Sequence, residues 1–221
     1  MVERFGNKQS KYVKSAREYE AKEAEGEKVN SIAEKVRYSC SAKNTQPWKL
    51  NFISGNILAK LKEALCDAFD KGEPFTPDFN QDLLPIYKSR AVDLGKRLFI
   101  YKNIAKEDKE ARRKHDRLNF EFFNAPQIFL LSTEKIYNET TLIDLGIFTG
   151  TLIEAIHNEN LSCCVQASVV NYPQIFREII PDLKEEKIVL AIPFGYPLEN
   201  SRINAFDAGR LETDLWFRIF Q

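Results

Sequence analysis

The stretch DLGIFTGTLIEAIHNENLSCCVQ, Asp144–Gln166, decides the fold. Leu145, Phe148, Leu152, Ala155 and Ile156 recur at three- and four-residue spacing, the period of one helix face. The other face from Asp144 to Asn158 is also mostly small or apolar, so the pattern predicts a buried helix rather than one lying on a surface. LSCCVQASVV, from Leu161, then reads as a strand.

Outward from this unit the chain alternates helices and strands. Downstream, a helix near 172–180 precedes KIVLAIPFGYP, an apolar strand from Lys187 that Gly195 and Pro197 end. Upstream, APQIFLLS from Ala125 is apolar without alternation, which places it at the centre of a sheet. Before it, AKEDKEARRKHDRLNFEFF from Ala105 reads as a charged helix whose first half faces water, and 86–101 reads as another helix. GEPFTPDFNQDLLP, residues 72–85, is a long surface excursion of the kind that often covers a site.

A helix over 57–70 carries Leu58, Leu61, Leu65 and Phe69 on one face. Trp48, Leu50 and Phe52 alternate with Lys49 and Asn51 as a strand does, up to a turn at Ser54, Gly55 and Asn56, and Pro47 favours an extended residue before it. Val29, Ile32, Ala33 and Val36 mark a helix starting near Asn30 or Ser31, behind a solvated connection in EYEAKEAEGEK, Glu18–Lys28. Strands near 48, 127, 163 and 188 between helices, with no low-complexity linker and no repeat, predict one α/β or α+β domain over 13–221 behind a basic extension at 1–12. The C-terminal ETDLWFRIF, from Glu212, either reaches to a partner subunit or packs on the sheet edge.

Composition narrows the chemistry. Lys and Arg total 32, as do Asp and Glu, so net charge gives no reason to expect a nucleic acid or a membrane surface as partner. A chain of 221 residues with 43% hydrophobic residues and 16 Phe is rich enough in core-formers to pack. The N-terminal MVERFGNKQSKYVKS is polar and basic, which argues against a secretory signal, and no stretch approaches the roughly 18 apolar residues of a membrane span. The expected address is the cytoplasm, with Cys40, Cys66, Cys163 and Cys164 as reduced thiols. His115 and His157 are too far apart in sequence to suggest a zinc cluster or a His-based triad.

No nucleophile elbow, phosphate-binding Walker loop, GxGxxG or HExxH is present. What remains is a set of polar groups at element ends. SCSAKNTQPW places Ser39, Ser41, Asn44 and Gln46 where a helix stops and a strand begins, each able to bond local backbone or a ligand. VKSAREY offers Lys14, Ser15 and Arg17, suited to an anion or to a solvated basic patch. NAFDAGRLE puts Arg210 after a glycine, ambiguous between a phosphate contact and a surface ion pair.

In chain order, VKSAREY, SCSAKNTQPW, NFEFFNAP, DLGIFTGTLIEAIHNENLSCCVQ, IPFGYPLE and NAFDAGR resemble the motifs of the FMN-dependent nitroreductase family. That family's pattern reads RRSxRxF, APSxxNxQPW, an fFxAP strand entry, DxGxxxQxLxLxAxxxGLxxCPQ, xxxGYP and NxxRxxR. The resemblance covers nearly the whole chain from about Val13. It implies an α+β fold, an α/β/α sandwich with a central, mostly antiparallel sheet, assembled as a domain-swapped homodimer. It also implies FMN as cofactor and NAD(P)H as electron donor. The reaction it implies is ping-pong hydride transfer through flavin N5 to nitroaromatics, quinones or related small-molecule acceptors, with no obligate catalytic side chain.

Residue by residue, the resemblance assigns Lys14, Ser15 and Arg17 to the flavin's phosphate, ribityl chain and pyrimidine edge, and Arg210 to the phosphate. Cys40, Ser41, Ala42 and Asn44, with Gln46 close behind, match a segment that comes from the opposite subunit. Asn119 matches an Asn at the isoalloxazine edge, Asp144 and Ile147 lie beside the dimethylbenzene side, and Val165, Gln166, Ala167 and Ser168 match the strand end that passes the flavin. A backbone N–H near Ala167 would bond N5.

The chain departs from the pattern at named positions. Val13 and Asp207 replace two arginines, and an Asp near a phosphate repels it; Lys8, Lys11 and Arg202 are candidates to compensate. Val165 and Cys40 stand for prolines, and Asn160 stands for a glycine whose left-handed cap it can still adopt. Val13 and Asp207 favour the alternative, a non-catalytic flavin-binding or regulatory member of the same fold. Tyr87, Lys88 and Arg90 resemble a YRSRR segment of one branch, either on the substrate side or on a solvated helix face.

Overall fold

The computed structural model describes residues 14–80 and 82–221. The expected extension at 1–12, with Lys8 and Lys11, and Val13 lie outside the described residues. The elements run α1 (Gly26–Val36), β1 (Lys49–Ser54), α2 (Gly55–Lys71), α3 (Pro85–Tyr101), α4 (Lys109–Phe120), β2 (Gln127–Glu134), α5 (Glu139–Asn158), β3 (Ser162–Cys163), α6 (Pro173–Ile179) and β4 (Glu186–Gly195).

β2 is central, as its unbroken apolar run predicts. The sheet order is β1-β2-β4-β3 with every pairing antiparallel, and all of β2 but Glu134 is buried. Its residues alternate between two cores. Ile128 and Leu130 meet Leu58, Leu61 and Leu65 of α2 and Phe176 of α6 on one face; Phe129 and Leu131 meet Ile32 of α1 and Phe148 and Leu152 of α5 on the other. Helices therefore cover both faces of an antiparallel sheet, the expected α+β sandwich. Phe129 and Phe194 stack across β2 and β4 at 4.5 Å between centroids, each ring stabilising the fold by about 1.5–3 kcal/mol through burial. Among the described residues no helix is long and apolar enough to cross a membrane.

Several expectations need correction. α1 begins at Gly26, four to five residues before the expected start, and the supposedly solvated Glu18–Lys28 is docked onto the sheet end. The backbone N–H of Ala16 bonds the Cys163 carbonyl at 3.0 Å, that of Glu20 bonds Tyr196 O at 2.9 Å, and the buried Gln127 amide pairs with both backbone groups of Ala24. Charge density hid this because alternate side chains of the strap face water while its backbone is paired. Gly195 permits the close approach: a Cβ there would stand 3.3 Å from Pro126 and 3.5 Å from the Tyr19 ring.

The expected strand LSCCVQASVV shrinks to the two residues of β3. Pro193 on β4 has no N–H to donate, so the ladder breaks after Cys164 N bonds Pro193 O at 3.0 Å. Pairing resumes only as a bridge between Gln166 and Ala191, and residues 168–171 coil into a short 3₁₀ turn.

α5 starts at Glu139 rather than Asp144, because Asn138 and Thr141 form a reciprocal capping box. Its burial is one-sided within the chain: Leu145, Phe148 and Leu152 are buried, but Ile143 and Ile147 on the opposite side are exposed. The charged helix is also shorter than its pattern, Lys109–Phe120, since Asp108 accepts from Ala111 N and caps it late. Gln46 is not extended ahead of Pro47; it takes φ +47°, held by the bond from its N–H to Ser41 Oγ.

The first half of the 72–85 excursion is pinned rather than free. Thr76 N bonds Asn171 O at 2.9 Å, Phe75 packs edge-on against Tyr172, and the buried Asp78 carboxylate meets Arg177 and the N–H of Ile188. α3 then stands out with no buried residue, and the C-terminal tail forms no strand, leaving Trp216, Phe217, Ile219 and Phe220 exposed.

Candidate functional site

The docked N-terminal strap places the first polar motif. Ala16 is fixed to β3, and the buried Tyr19 hydroxyl donates to Ala16 O at 2.8 Å. Asn204, in the closing segment NAFDAGR, then clasps the strap from the other end of the chain. Its Oδ1 accepts from Arg17 N at 2.7 Å and Glu18 N at 3.1 Å, and its Nδ2 donates to Glu18 O at 2.8 Å. Ser201 Oγ adds a bond to the Glu18 carboxylate at 2.7 Å.

That clasp creates a cleft of about 560 Å³ lined by Lys14, Ser15, Arg17, Leu94, Leu98 and Phe206 and by Asp207 through Arg210. Four of the expected site residues, Lys14, Ser15, Arg17 and Arg210, are thus brought together. Among the described residues none of the three cations has a carboxylate partner; Arg17 Nη1 donates to Ser15 O at 3.4 Å and Arg210 Nη1 to Gly209 O at 2.6 Å. Arg202 does not line the cleft; its guanidinium lies over the Tyr101 ring.

Arg17 also reaches a second cavity of about 180 Å³, shared with Glu18, Lys102, His115, Leu118 and Phe123. Here Lys102 Nζ stands 2.8 Å from His115 Nδ1, so the ammonium donates to a neutral imidazole. Burial, with the charges of Lys102 and Arg17, pushes His115 down to about 4. The pair was not legible in the sequence, because Lys102 follows α3 and His115 lies on α4, and no local signal links them.

Asn119, the penultimate residue of α4, holds Gln166. Gln166 Nε2 donates to Asn119 O at 3.2 Å and Oδ1 at 3.3 Å, while Asn119 Nδ2 donates to Asp116 O. Among the described residues the Oε1 of Gln166 is buried without a hydrogen-bond partner, a cost of about 1–3 kcal/mol that a donor reaching it would remove. Val165 beside it is exposed, and Ala167 begins the turn that follows. Cys164 is buried against the strap; burial raises its thiol, partly offset by Arg17 and a hydrogen bond from Ser15.

The segment Cys40–Gln46 lies elsewhere. None of Cys40, Ser41, Ala42, Asn44 or Gln46 lines the cleft. The loop is clamped instead to α5: the N–H of Ala42 bonds Asp144 Oδ1 at 2.9 Å, and Thr45 Oγ1 lies 3.4 Å from Oδ2. Asp144 is buried, and both its oxygens are used within the chain. The clamp holds three non-glycine residues in left-handed conformations, with φ of +51° at Lys43, +59° at Asn44 and +47° at Gln46. Cys40, Asn44 and Gln46 remain exposed, as does Ile147 on the outer side of α5.

Comparison with known proteins gives this arrangement a context. Residues 12–196 match the family model described as the nitroreductase family. A 4-nitrobenzoate reductase of Pseudomonas putida is 26% identical, over 80% of this chain and 78% of its own. Nitroreductase NfnB of Mycolicibacterium smegmatis is also 26% identical, over 86% and 82%. The crystal structure of the FMN-dependent nitroreductase NfnB from Mycobacterium smegmatis in complex with NADPH superposes with a TM-score of 0.89 at 24% identity, covering 95% of each chain. A BluB-like flavoprotein from Clostridium difficile shares the fold more distantly, with a TM-score of 0.64 at 14% identity over 95% of each chain.

Proposed function

Because the chain belongs to the nitroreductase family, we propose that it is an FMN-dependent NAD(P)H oxidoreductase that works as a cytoplasmic homodimer and reduces nitroaromatics, quinones or related small molecules. The observation that carries this reading is the convergence of Lys14, Ser15, Arg17 and Arg210, from opposite ends of the sequence, on one cleft whose cations have no carboxylate partner among the described residues. The donor set fits the cofactor: guanidinium and ammonium groups suit a phosphate, and the buried, unpartnered Oε1 of Gln166 suits a ligand N–H. When bound, the flavin supplies hydride acceptance from the nicotinamide and hydride donation to the acceptor by turns, which is ping-pong chemistry.

The chain's own residues bind and orient. Lys14, Ser15, Arg17 and Arg210 hold the anionic end, and Asn204 keeps the strap and the closing segment in register. Asn119 and Gln166, bonded to each other, would supply a polar edge and Val165 and Ala167 the adjoining backbone, although none of the four lines the cleft of the single chain. Asp144 fixes the Cys40–Gln46 loop, which does not line its own chain's cleft and would border the flavin of a second copy. Exposed Ile143 and Ile147 on α5, exposed apolar residues on α3, and Trp216, Phe217, Ile219 and Phe220 in the tail are the surfaces a second copy would cover.

A visible spectrum tests the reading. Purified protein should show the bands of oxidised flavin and lose them on addition of NADPH or NADH; colourless protein that FMN does not reconstitute would overturn it. The second reading, a non-catalytic flavin-binding or regulatory member, predicts bound flavin that reduced nicotinamide leaves unbleached. Asp207, one of its two supports, has a local role: its Oδ1 accepts from Gly209 N at 2.8 Å.

A further inference from the structure

Asp207 puts a negative charge on the cleft where the family pattern carries an arginine, so some other feature must keep the phosphate end of the site attractive. The closing turn is held from two sides. Internally, the Asp207 carboxylate bonds Gly209 N, and Gly209 takes φ +70°, a conformation that favours glycine. Externally, Arg97 of α3 donates from Nη2 to the carbonyl of Ala208 at 2.7 Å. Its Nη1 stands 3.5 Å from where a Cβ on Gly209 would be, so the guanidinium lies in van der Waals range of the turn.

Arg97 is itself aimed. Its Nε bonds Asp93 Oδ2 at 3.1 Å one helical turn back, and Leu94 and Leu98 on either side of it line the cleft. α3 is tied to the same segment again through Tyr101, whose hydroxyl donates to Arg202 O at 2.9 Å and whose ring packs on Phe206. A helix with no buried residue thus touches the closing segment where the turn needs support.

We propose that Arg97 is a positioning residue for the phosphate of the flavin. Through the Ala208 carbonyl it fixes the turn that presents Arg210 to the cleft. The inference rests on the FMN reading above.

Flavin-fluorescence titration of the flavin-depleted full chain with FMN and with riboflavin, which lacks the phosphate, separates the two claims. The wild type should bind FMN more tightly than riboflavin. Arg97→Met should cut that preference about ten-fold while leaving riboflavin affinity within about two-fold, and Arg97→Lys should restore most of it because a cation that can reach a carbonyl remains. An unchanged preference in Arg97→Met, or an equal loss for both flavins, would overturn the role of Arg97 and leave the FMN reading standing. A wild type that binds neither flavin would remove the FMN reading, and this inference with it.

Discussion

Asn204 Oδ1 accepts from the backbone N–H of Arg17 at 2.7 Å, across a separation of 187 residues. The same side chain bonds both backbone groups of Glu18, so one amide closes the chain's two ends around the cleft. Asn204→Ala should cost about 2 kcal/mol from the lost bonds and a stranded strap backbone. The variant should also lose FMN affinity by more than its stability loss explains, because Arg17 and Arg210 are no longer in register. Denaturant titration beside flavin titration checks this, and unchanged FMN affinity in a destabilised variant would contradict it.

Asp144 should govern the loop, not the core. Asp144→Ala leaves the Ala42 N–H without its acceptor, a cost of about 1–3 kcal/mol, and lets three residues leave their left-handed conformations. Amide exchange should quicken over 41–46 and stay slow in β2 and β4. Exchange that rises equally across the sheet would show that Asp144 holds the fold as a whole.

Arg177 of α6 and Asp78 of the 72–85 excursion form the most enclosed ion pair among the described residues. Their side chains are 16% and 8% exposed, with Lys187 3.7 Å from the same carboxylate. Arg177→Met should destabilise by about 3 kcal/mol because Asp78 keeps its buried charge with only Lys187 and the Ile188 N–H to answer it. Arg177→Met combined with Asp78→Asn should recover part of the loss. An additive double variant would show that the two side chains are not coupled.

Acid should act through His115. Its folded value is depressed to about 4 from the ordinary 6.5, so the unfolded chain binds the proton more readily between those values. The stability it contributes is complete above about 6.5 and is lost as pH falls toward about 4, a loss of about 1–2 kcal/mol once solvent screening is allowed for. His115→Gln keeps an acceptor for Lys102 but does not titrate, so its melting temperature should fall less than the wild type's across that window. Parallel curves would assign the acid loss to other groups.

How much of this was legible in the chain depends on the range of the interaction. β2 was readable because burial on both faces leaves an unbroken apolar run, and α2 was readable from the helical spacing of Leu58, Leu61, Leu65 and Phe69. Lys14, Ser15, Arg17 and Arg210 were legible as motif residues. Asn204 stood in plain sight at the head of the closing motif but had no assigned task, and Arg97 looked like any charged residue on an exposed helix.

The sequence by itself determined where the helices and most of the strands lie, because side-chain period and apolar content act over a few residues; that helices cover both sheet faces followed from the resemblance to the nitroreductase family. Only the tertiary structure decided that a charge-rich strap docks onto the sheet end, that Pro193 cuts β3 to two residues, and that Asp144 clamps a Cys40–Gln46 loop that does not line its own chain's cleft. Each of these turns on a hydrogen bond, or a missing donor, between residues far apart in sequence. A local pattern records what a residue prefers; the partner that satisfies it is fixed only when the chain closes.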